Sequence, residues 1–521
     1  MIKSDTRPSS VAPATGATPG PREPAPHPHI DSPPLSPAAM EVVGATTSPA
    51  MSPIVLAGFV RIIEAALIVT VGLAIYVSYL AFEDGFAWRY GVAIGAIAGL
   101  TMLAFQVADI YQVQAFRGHE KQYMRLASAW SVVFCIVIAA SFFLKAGEQF
   151  SRVWLGSYYI IGLLTLVAWR RVLFLLVRTW TREGRLSRRT VIVGGGTPGE
   201  ELTRNLREQK DSDVELIGLF DDRGDDRTGT EFGAESSTLR KLGTVDDLVE
   251  FGRRTRVDLV VFSLPISAEG RILQMLKKLW VLPVDIRLAA HTNKLQFRPR
   301  SYSFLSGVPV IDVADRPIAD WDVVMKWLFD KIVGGLALIL LSPLLLLTAI
   351  AVKLDSRGPV LFKQKRYGFN NDLIEVYKFR SMYVDKTDAS ASALVTKGDP
   401  RVTRVGRIIR KTSLDELPQL FNVVFKGNLS LVGPRPHAVN AKAEARRYDE
   451  AVDGYFARHR VKPGITGWAQ INGWRGETDT HEKIQKRVEH DLYYIESWSV
   501  LFDLYILLRT PFALLKTENA Y

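Results

Sequence analysis

Four apolar stretches crowd the first third of this 521-residue chain, at 54–82, 90–111, 127–144 and 153–177. Each is close to the ~20 residues a helix needs to cross a bilayer. They predict a four-helix transmembrane bundle over residues 51–180. Flanking charges orient it. The first connection carries Glu83 and Asp84 beside a lone Arg89, the second carries Arg117, Lys121 and Arg125, and the fourth stretch runs into Arg170, Arg171, Arg178, Arg182, Arg185, Arg188 and Arg189. Basic loops stay cytoplasmic, so the charges put both ends of the bundle on that side of a bacterial inner membrane. Composition agrees: 48% of residues are hydrophobic. The net charge of +11 calls for anionic partners, and beside so much apolar sequence these are membrane lipid and phosphate compounds rather than nucleic acid. A single cysteine, Cys135, rules out a disulfide framework and a cysteine zinc site within one chain. Arg61 and Glu64, three apart on one helical face, read as an ion pair inside the first stretch. Residues 1–50, rich in Pro, Ala, Ser and Thr, read as a disordered tail and not as a secretory signal.

Residues 188–310 alternate in the α/β manner and predict a Rossmann-like domain, a small doubly wound parallel sheet. Its first strand ends in Gly194-Gly195-Gly196-Thr197-Pro198-Gly199, which opens a helix. Gly194, Gly196 and Gly199 would let backbone N–H groups approach a phosphate, and Asp221 or Asp222 closes the next strand where a ribose-binding acid sits in dinucleotide enzymes. A nucleotide is one reading of this loop; a regulatory or purely structural unit is the other. No Tyr-x-x-x-Lys pair occurs anywhere in the chain, so sugar-nucleotide reduction or epimerisation has no proton relay.

A third unit spans 321–521. An amphipathic start at 321–330 leads into the apolar run 332–352, broken only by Ser342-Pro343. Lys326 and Lys331 precede it; Lys353, Lys363, Lys365 and Arg366 follow. Basic residues on both flanks, with Ser342-Pro343 between as the place to bend, predict a re-entrant helix hairpin over 329–353 that enters and leaves on the cytoplasmic side. The alternative is a fifth spanning helix. Further on, Ser413-Leu414-Asp415-Glu416 has the spacing of a capping box, which would hold two carboxylates at a helix N-terminus that also attracts phosphate. Arg401, Arg404, Arg407 and Arg410 lead into it, and Arg435 is fixed between Pro434 and Pro436. A guanidinium held this way suits bidentate phosphate recognition. The apolar segment 498–508 is too short to span and reads as an interface-lying helix.

Six segments carry a resemblance: Tyr377-Lys378-Phe379-Arg380-Ser381-Met382, Asp399-Pro400-Arg401, residues 413–420, residues 433–436, Lys462-Pro463-Gly464-Ile465-Thr466-Gly467-Trp468-Ala469-Gln470 and Asp491-Leu492-Tyr493-Tyr494. In order and spacing they resemble the bacterial sugar transferases, the monotopic phosphoglycosyl transferases, and the bundle and Rossmann-like unit resemble the long form of that family. Within it, residues 471–478 are similar to the undecaprenyl-phosphate glucose phosphotransferases of exopolysaccharide synthesis. The resemblance implies a ping-pong transfer of a hexose-1-phosphate from a UDP-sugar, glucose or galactose, to undecaprenyl phosphate. In that scheme Asp415 is the nucleophile and binds Mg²⁺, with Glu416 as its catalytic partner. Lys378, Arg380, Arg410 and Arg435 would bind phosphate, and Asp491 the nucleotide, unless it is a structural acid. The Rossmann-like unit would then regulate or support a homo-oligomer. A competing reading makes the chain a membrane-anchored nucleotide sensor or scaffold; the intact acid pair and Arg435 speak against it.

Overall fold

A computed structural model describes residues 35–45, 49–80, 87–111, 120–145, 149–209, 213–223, 239–290, 303–305, 308–384, 399–437, 442–443, 446–447, 452, 455–474 and 480–515. Residues 1–34 of the expected tail, the loop charges Glu83, Asp84 and Arg117, and residues 475–478 lie outside them.

The tail is not structureless throughout. Pro37–Gly44 forms a helix, α1, with proline in its first turn and Ser36 as its N-cap, the hydroxyl accepting from the Ala39 N–H at 3.1 Å. The composition hid this because small apolar residues suffice here: Leu35, Ala38 and Ala39 are buried in the core of the Rossmann-like domain.

Four long apolar helices follow: α2 (Pro53–Tyr79), α3 (Trp88–Val107), α4 (Glu120–Phe143) and α5 (Arg152–Arg182), each long and apolar enough to cross a membrane. Ser52 and Ser151 cap α2 and α5 through their hydroxyls, each at 3.3 Å from the N–H three residues on. A stripe on α2, Leu56, Val60, Glu64, Ile68, Gly72 and Tyr76, turns inward at helical spacing. Glycine sets the closest approach. A Cβ on Gly162 would lie 2.6 Å from the Trp130 ring, so α4 and α5 meet only because that position has no side chain. The ion pair of this bundle differs from the expected one. Glu64, on the buried stripe, pairs with Arg170 of α5 at 2.7 and 3.0 Å, both side chains fully buried. Arg61 lies on the exposed side of α2, its guanidinium 4.7 Å from the centre of the Tyr111 ring.

The α/β domain that follows is a seven-stranded sheet in the order β3-β2-β1-β4-β5-β7-β6. Its strands are β1 (Arg188–Val193), β2 (Val214–Phe220), β3 (Lys241–Gly243), β4 (Leu259–Phe262), β5 (Asp285–Ala289), β6 (Ser303–Leu305) and β7 (Val308–Ala314). The first five pair in parallel, with helices α6 (Thr197–Glu208), α7 (Val245–Arg254) and α8 (Glu269–Leu279) packed on them. This is the expected doubly wound order. The hairpin β6–β7 adds antiparallel strands to β5 and carries the domain to Ala314, beyond the expected limit at 310.

The third unit begins with α9 (Asp320–Asp355), a single 36-residue helix with Pro343 inside it. The helix is longer than the segment expected and does not end at Ser342-Pro343. Its two ends are tied to the same α/β unit. At the start Lys326 donates to the Val432 carbonyl at 2.9 Å and pairs with Asp503 at 2.5 Å; at the end Asp355 accepts from the Val405 N–H at 3.0 Å. Between them Leu336, Ile339, Leu340, Leu346 and Leu347 are exposed. The unit itself is built from the hairpin β8 (Leu361–Tyr367) and β9 (Leu373–Phe379), helix α10 (Arg404–Lys411), strand β10 (Ser430–Val432), the two-residue strands β11 (Lys442–Ala443) and β12 (Arg446–Arg447), and β13 (Gly464–Thr466), which pairs parallel with β10. Helices α11 (His481–Glu496) and α12 (Val500–Leu515) close it. Leu501, Leu508 and Phe512 on α12 are exposed, while Asp503 on its other face is fully buried.

Candidate active site

The acid pair sits in a single 3-10 turn, Leu414–Glu416, between α10 and a short helical run through Lys426. The expected capping box does not form. Ser413 takes the left-handed conformation (φ 58°, ψ 18°) and makes no side-chain cap to this turn. A β-region backbone, which an N-cap hydroxyl requires, would not reverse the chain so sharply after α10. The run ends in a π-helical turn, Asn422–Lys426, a feature found mostly at functional sites.

Asn422 fixes this turn against β9. Its side-chain oxygen accepts from the Tyr377 N–H at 3.0 Å and its nitrogen donates to the Glu375 carbonyl at 2.7 Å. One amide side chain thereby stands in for a neighbouring strand and sets Lys378 beside Glu416. Lys378 Nζ lies 2.9 Å from Glu416 Oε1. Arg435 reaches the same carboxylate from the opposite side, with contacts of 2.5 Å to Oε1 and 3.2 Å to Oε2. This fork is the strong geometry for a guanidinium and a carboxylate. Arg435 is itself held by glycines. Gly433 donates to the Thr466 carbonyl and Gly464 to the Pro434 carbonyl, at 2.9 and 3.0 Å. A Cβ on Gly464 would lie 2.1 Å from the Gly433 nitrogen, so the two motif segments can touch only without side chains.

The two acids therefore differ. The Arg435 and Lys378 cations hold Glu416 well below the usual carboxylate range against the effect of burial. Asp415 makes no hydrogen bond or ion pair among the described residues. Burial first, and the Glu416 charge second, push it up to about 6, opposed by Lys378, Arg410 and Arg435. Arg410 is half-buried and likewise makes no ion pair among the described residues. The cleft over the Lys378–Glu416–Arg435 cluster, about 210 Å³, is lined by Arg366, Val376, Lys378, Glu416, Gln419, Arg435, Pro436, Gly464 and Ile465; Asp415 and Arg410 flank it outside this lining. Arg366 was not singled out in the sequence as a site residue; it reads there as one more flanking charge of the apolar run.

Two expected site residues lie elsewhere. Arg380 is buried, donating to the Ser356 carbonyl at 2.7 Å and the Arg357 carbonyl at 2.5 Å, just past the end of α9. Its guanidinium satisfies carbonyls that a helix end leaves bare and is not turned to the cleft. Asp491 is buried on α11 and pairs with Arg458 at 2.6 Å, which makes it the structural acid of the two readings. The arginine stripe is also broken: Arg401 precedes α10 and forks onto Asp399, with contacts of 3.0 and 2.6 Å.

Comparison with known proteins accords with this geometry. A bacterial sugar transferase family matches residues 321–517, and a CoA-binding domain family matches residues 106–290. The UDP-glucose:undecaprenyl-phosphate glucose-1-phosphate transferase of Xanthomonas campestris pv. campestris is 34% identical over 436 residues, 83% of this chain and 88% of that protein. The chain belongs to the bacterial sugar transferase family. The Escherichia coli K12 protein of the same name is 36% identical to this transferase over 434 residues, 82% of the chain and 89% of that protein. The exopolysaccharide production protein PSS of Rhizobium leguminosarum bv. phaseoli is 49% identical over 189 residues, 36% of the chain and 94% of that protein.

In the glycine loop of the transferase's Rossmann-like domain, one backbone donor expected to face a phosphate is already taken. Gly194 and Gly196 have positive φ, 101° and 82°, and a Cβ on Gly199 would lie 2.6 Å from the Gly194 carbonyl, as a tight strand-to-helix turn demands. The N–H of Gly195, however, already donates to Asp221 at 2.7 Å, and Asp221 is buried. The acid expected at a ribose occupies the loop instead.

Proposed function

We propose that this transferase moves glucose-1-phosphate from UDP-glucose to undecaprenyl phosphate, releasing UMP, and so initiates an exopolysaccharide repeat unit at the bacterial inner membrane. One observation carries the reading: a partly open carboxylate, Asp415, without a partner among the described residues, stands beside a carboxylate clamped by two cations. An Asp415 oxygen attacks the sugar-side phosphorus; that bond forms as the bond to UMP breaks, and the sugar-phosphate remains as an aspartyl ester. An oxygen of undecaprenyl phosphate then attacks the same phosphorus and frees Asp415. Glu416, with both oxygens engaged, holds Lys378 and Arg435 at the cleft. Arg410, without an ion pair among the described residues, offers its guanidinium to the diphosphate.

The donor set fits Mg²⁺. The described residues contain no group of three or more His, Cys, Asp and Glu, and Mg²⁺ held by one carboxylate, water and substrate phosphates needs none. Asp415 would hold it, and the ion would neutralise charge on the diphosphate.

The topology proposed is re-entrant and cytoplasmic for α9. A helix that crossed would place its ends on opposite sides of an apolar layer ~30 Å thick. Lys326 and Asp355 tie both ends to one α/β unit, which supports entry and exit on one face.

The test is UMP release by the purified full-length enzyme from UDP-glucose, UDP-galactose and N-acetylated UDP-sugars, with and without undecaprenyl phosphate. UMP from UDP-glucose, with lipid-linked hexose phosphate formed only when acceptor is added, is expected. Release from none of the donors would sink the reading, and preference for UDP-galactose would change the sugar.

A further inference from the structure

We infer that Arg458 is a positioning residue for the transfer: it sets Arg435 from behind, and the Rossmann-like domain braces it through the turn Tyr455–Arg460. The inference rests on the proposed role of the Arg435–Glu416 pair. Arg458 is fully buried and lies outside the cleft lining. One of its terminal nitrogens donates to the Arg435 backbone carbonyl at 2.6 Å and lies 2.6 Å from Asp491 on α11. The other is 2.6 Å from His437 Nδ1. Burial, with the Arg458 and Arg487 cations, holds His437 well below the usual imidazole range, so the ring is neutral and can accept. A single guanidinium thus joins α11, residue 437 and the backbone of the residue that clamps Glu416.

The turn that carries Arg458 meets the Rossmann-like domain on its other side. Phe456 lies under the Arg253 guanidinium at the end of α7, 5.3 Å from ring centre to charge. Arg460 stacks on Trp280 at 4.9 Å and donates to the Asp315 carbonyl at 3.1 Å. His459, between them, bonds Asn371 at the tip of the β8–β9 hairpin, whose strands bring Arg366 and Lys378 to the cleft. Within one six-residue turn, Phe456 and Arg460 therefore touch the domain behind, and Arg458 and His459 reach toward the site in front. The path is short and continuous, buried at Arg458, His459 and Arg460 and exposed at Trp280 and Asp315, where it meets the domain behind.

The experiment uses the full-length enzyme with two variants, Arg458→Lys and the pair Arg253→Ala with Trp280→Ala. Lysine keeps the charge beside Asp491, but its one nitrogen cannot also serve His437 and the Arg435 carbonyl in guanidinium geometry. Activity is referred to folded, membrane-extracted enzyme, and kcat and KM for UDP-glucose are read separately. Arg458→Lys is expected to lower kcat roughly 10- to 100-fold, as small misplacements of a charged clamp do, with a smaller change in KM. The Arg253/Trp280 pair should show the same signs at about a third of the logarithmic size. A wild-type kcat in Arg458→Lys, or a loss confined to KM, would overturn the positioning role; a wild-type kcat in the Arg253/Trp280 variant would overturn the brace. A parent enzyme that releases no UMP would instead remove the transferase reading, a failure distinct from either.

Discussion

At the scale of single residues, the site separates two adjacent acids by giving one the Lys378 and Arg435 cations and leaving the other crowded and, among the described residues, unpaired. Asp415→Asn should abolish both UMP release and the trapped phosphosugar adduct, since an amide oxygen is no nucleophile at phosphorus. The first half-reaction should also fall with pH in a stated place. A carboxylate pushed up to about 6 is ionised above that value and lost below it, so the rate should drop near pH 6 and not near the ~4 of an ordinary aspartate. Single-turnover UMP release between pH 5 and 8 reads this directly; a flat profile down to pH 5 would contradict it. Arg380 gives the contrasting case. Its work is on the carbonyls after α9, so Arg380→Ala should cost stability, on the order of 1–3 kcal/mol for a buried acceptor set left bare, while KM for the UDP-sugar in the surviving enzyme stays within a factor of two. Thermal unfolding and steady-state kinetics on one preparation separate the two effects. Asp415, Glu416, Lys378 and Arg435 were legible in the sequence because each sits in a short motif whose local geometry is rigid. Arg366, Asn422 and Arg458 were not. Each acts on a group 23 to 70 residues away, and no spacing rule reaches that far.

Among elements, the bundle and α9 follow different rules. In the bundle, Glu64 and Arg170 form a fully buried pair between helices far apart in sequence. Removing one partner leaves a charge with no solvent, which costs roughly 3–5 kcal/mol, whereas replacing both with apolar residues is often neutral. Arg170→Leu should therefore collapse the yield of extractable enzyme, and Glu64→Leu with Arg170→Leu should restore it; two single variants that extract like the parent would refute the pairing. For α9, single cysteines at Leu354, which is exposed, and near the C-terminus in a Cys135→Ser background report topology. An impermeant thiol reagent should reach neither in intact cells, and labelling of either would refute re-entry. The helix itself was plain from apolar content, and so was its proline. Its true length was hidden because 320–331 reads as a separate amphipathic piece, while the tertiary ties of Lys326 and Asp330 make it continuous with the apolar run.

For the whole molecule, sequence periodicity showed three units and the order of their elements. It missed what lies between them, because the docking of one unit on another is made of single residues such as Arg253, Trp280 and Phe456 whose types are unremarkable alone. A fragment beginning at residue 321 should keep some UMP release, since every group lining the cleft is in it. Its turnover should fall below that of the full chain for want of Arg253 and Trp280. A second omission lies at the far edge of the seven-stranded sheet. There the Ser36 hydroxyl donates to the Leu242 carbonyl at 2.5 Å, and α1 covers the apolar residues beside β3. β3 is a border strand, and a border strand with bare carbonyls is a template for another chain. The ten residues around α1 thus act as a selvedge on the sheet. A chain trimmed at residue 45 should keep its catalytic cleft intact and yet turn adhesive, pairing β3 with β3 and leaving solution as sheet-linked aggregates when the detergent-extracted protein is concentrated.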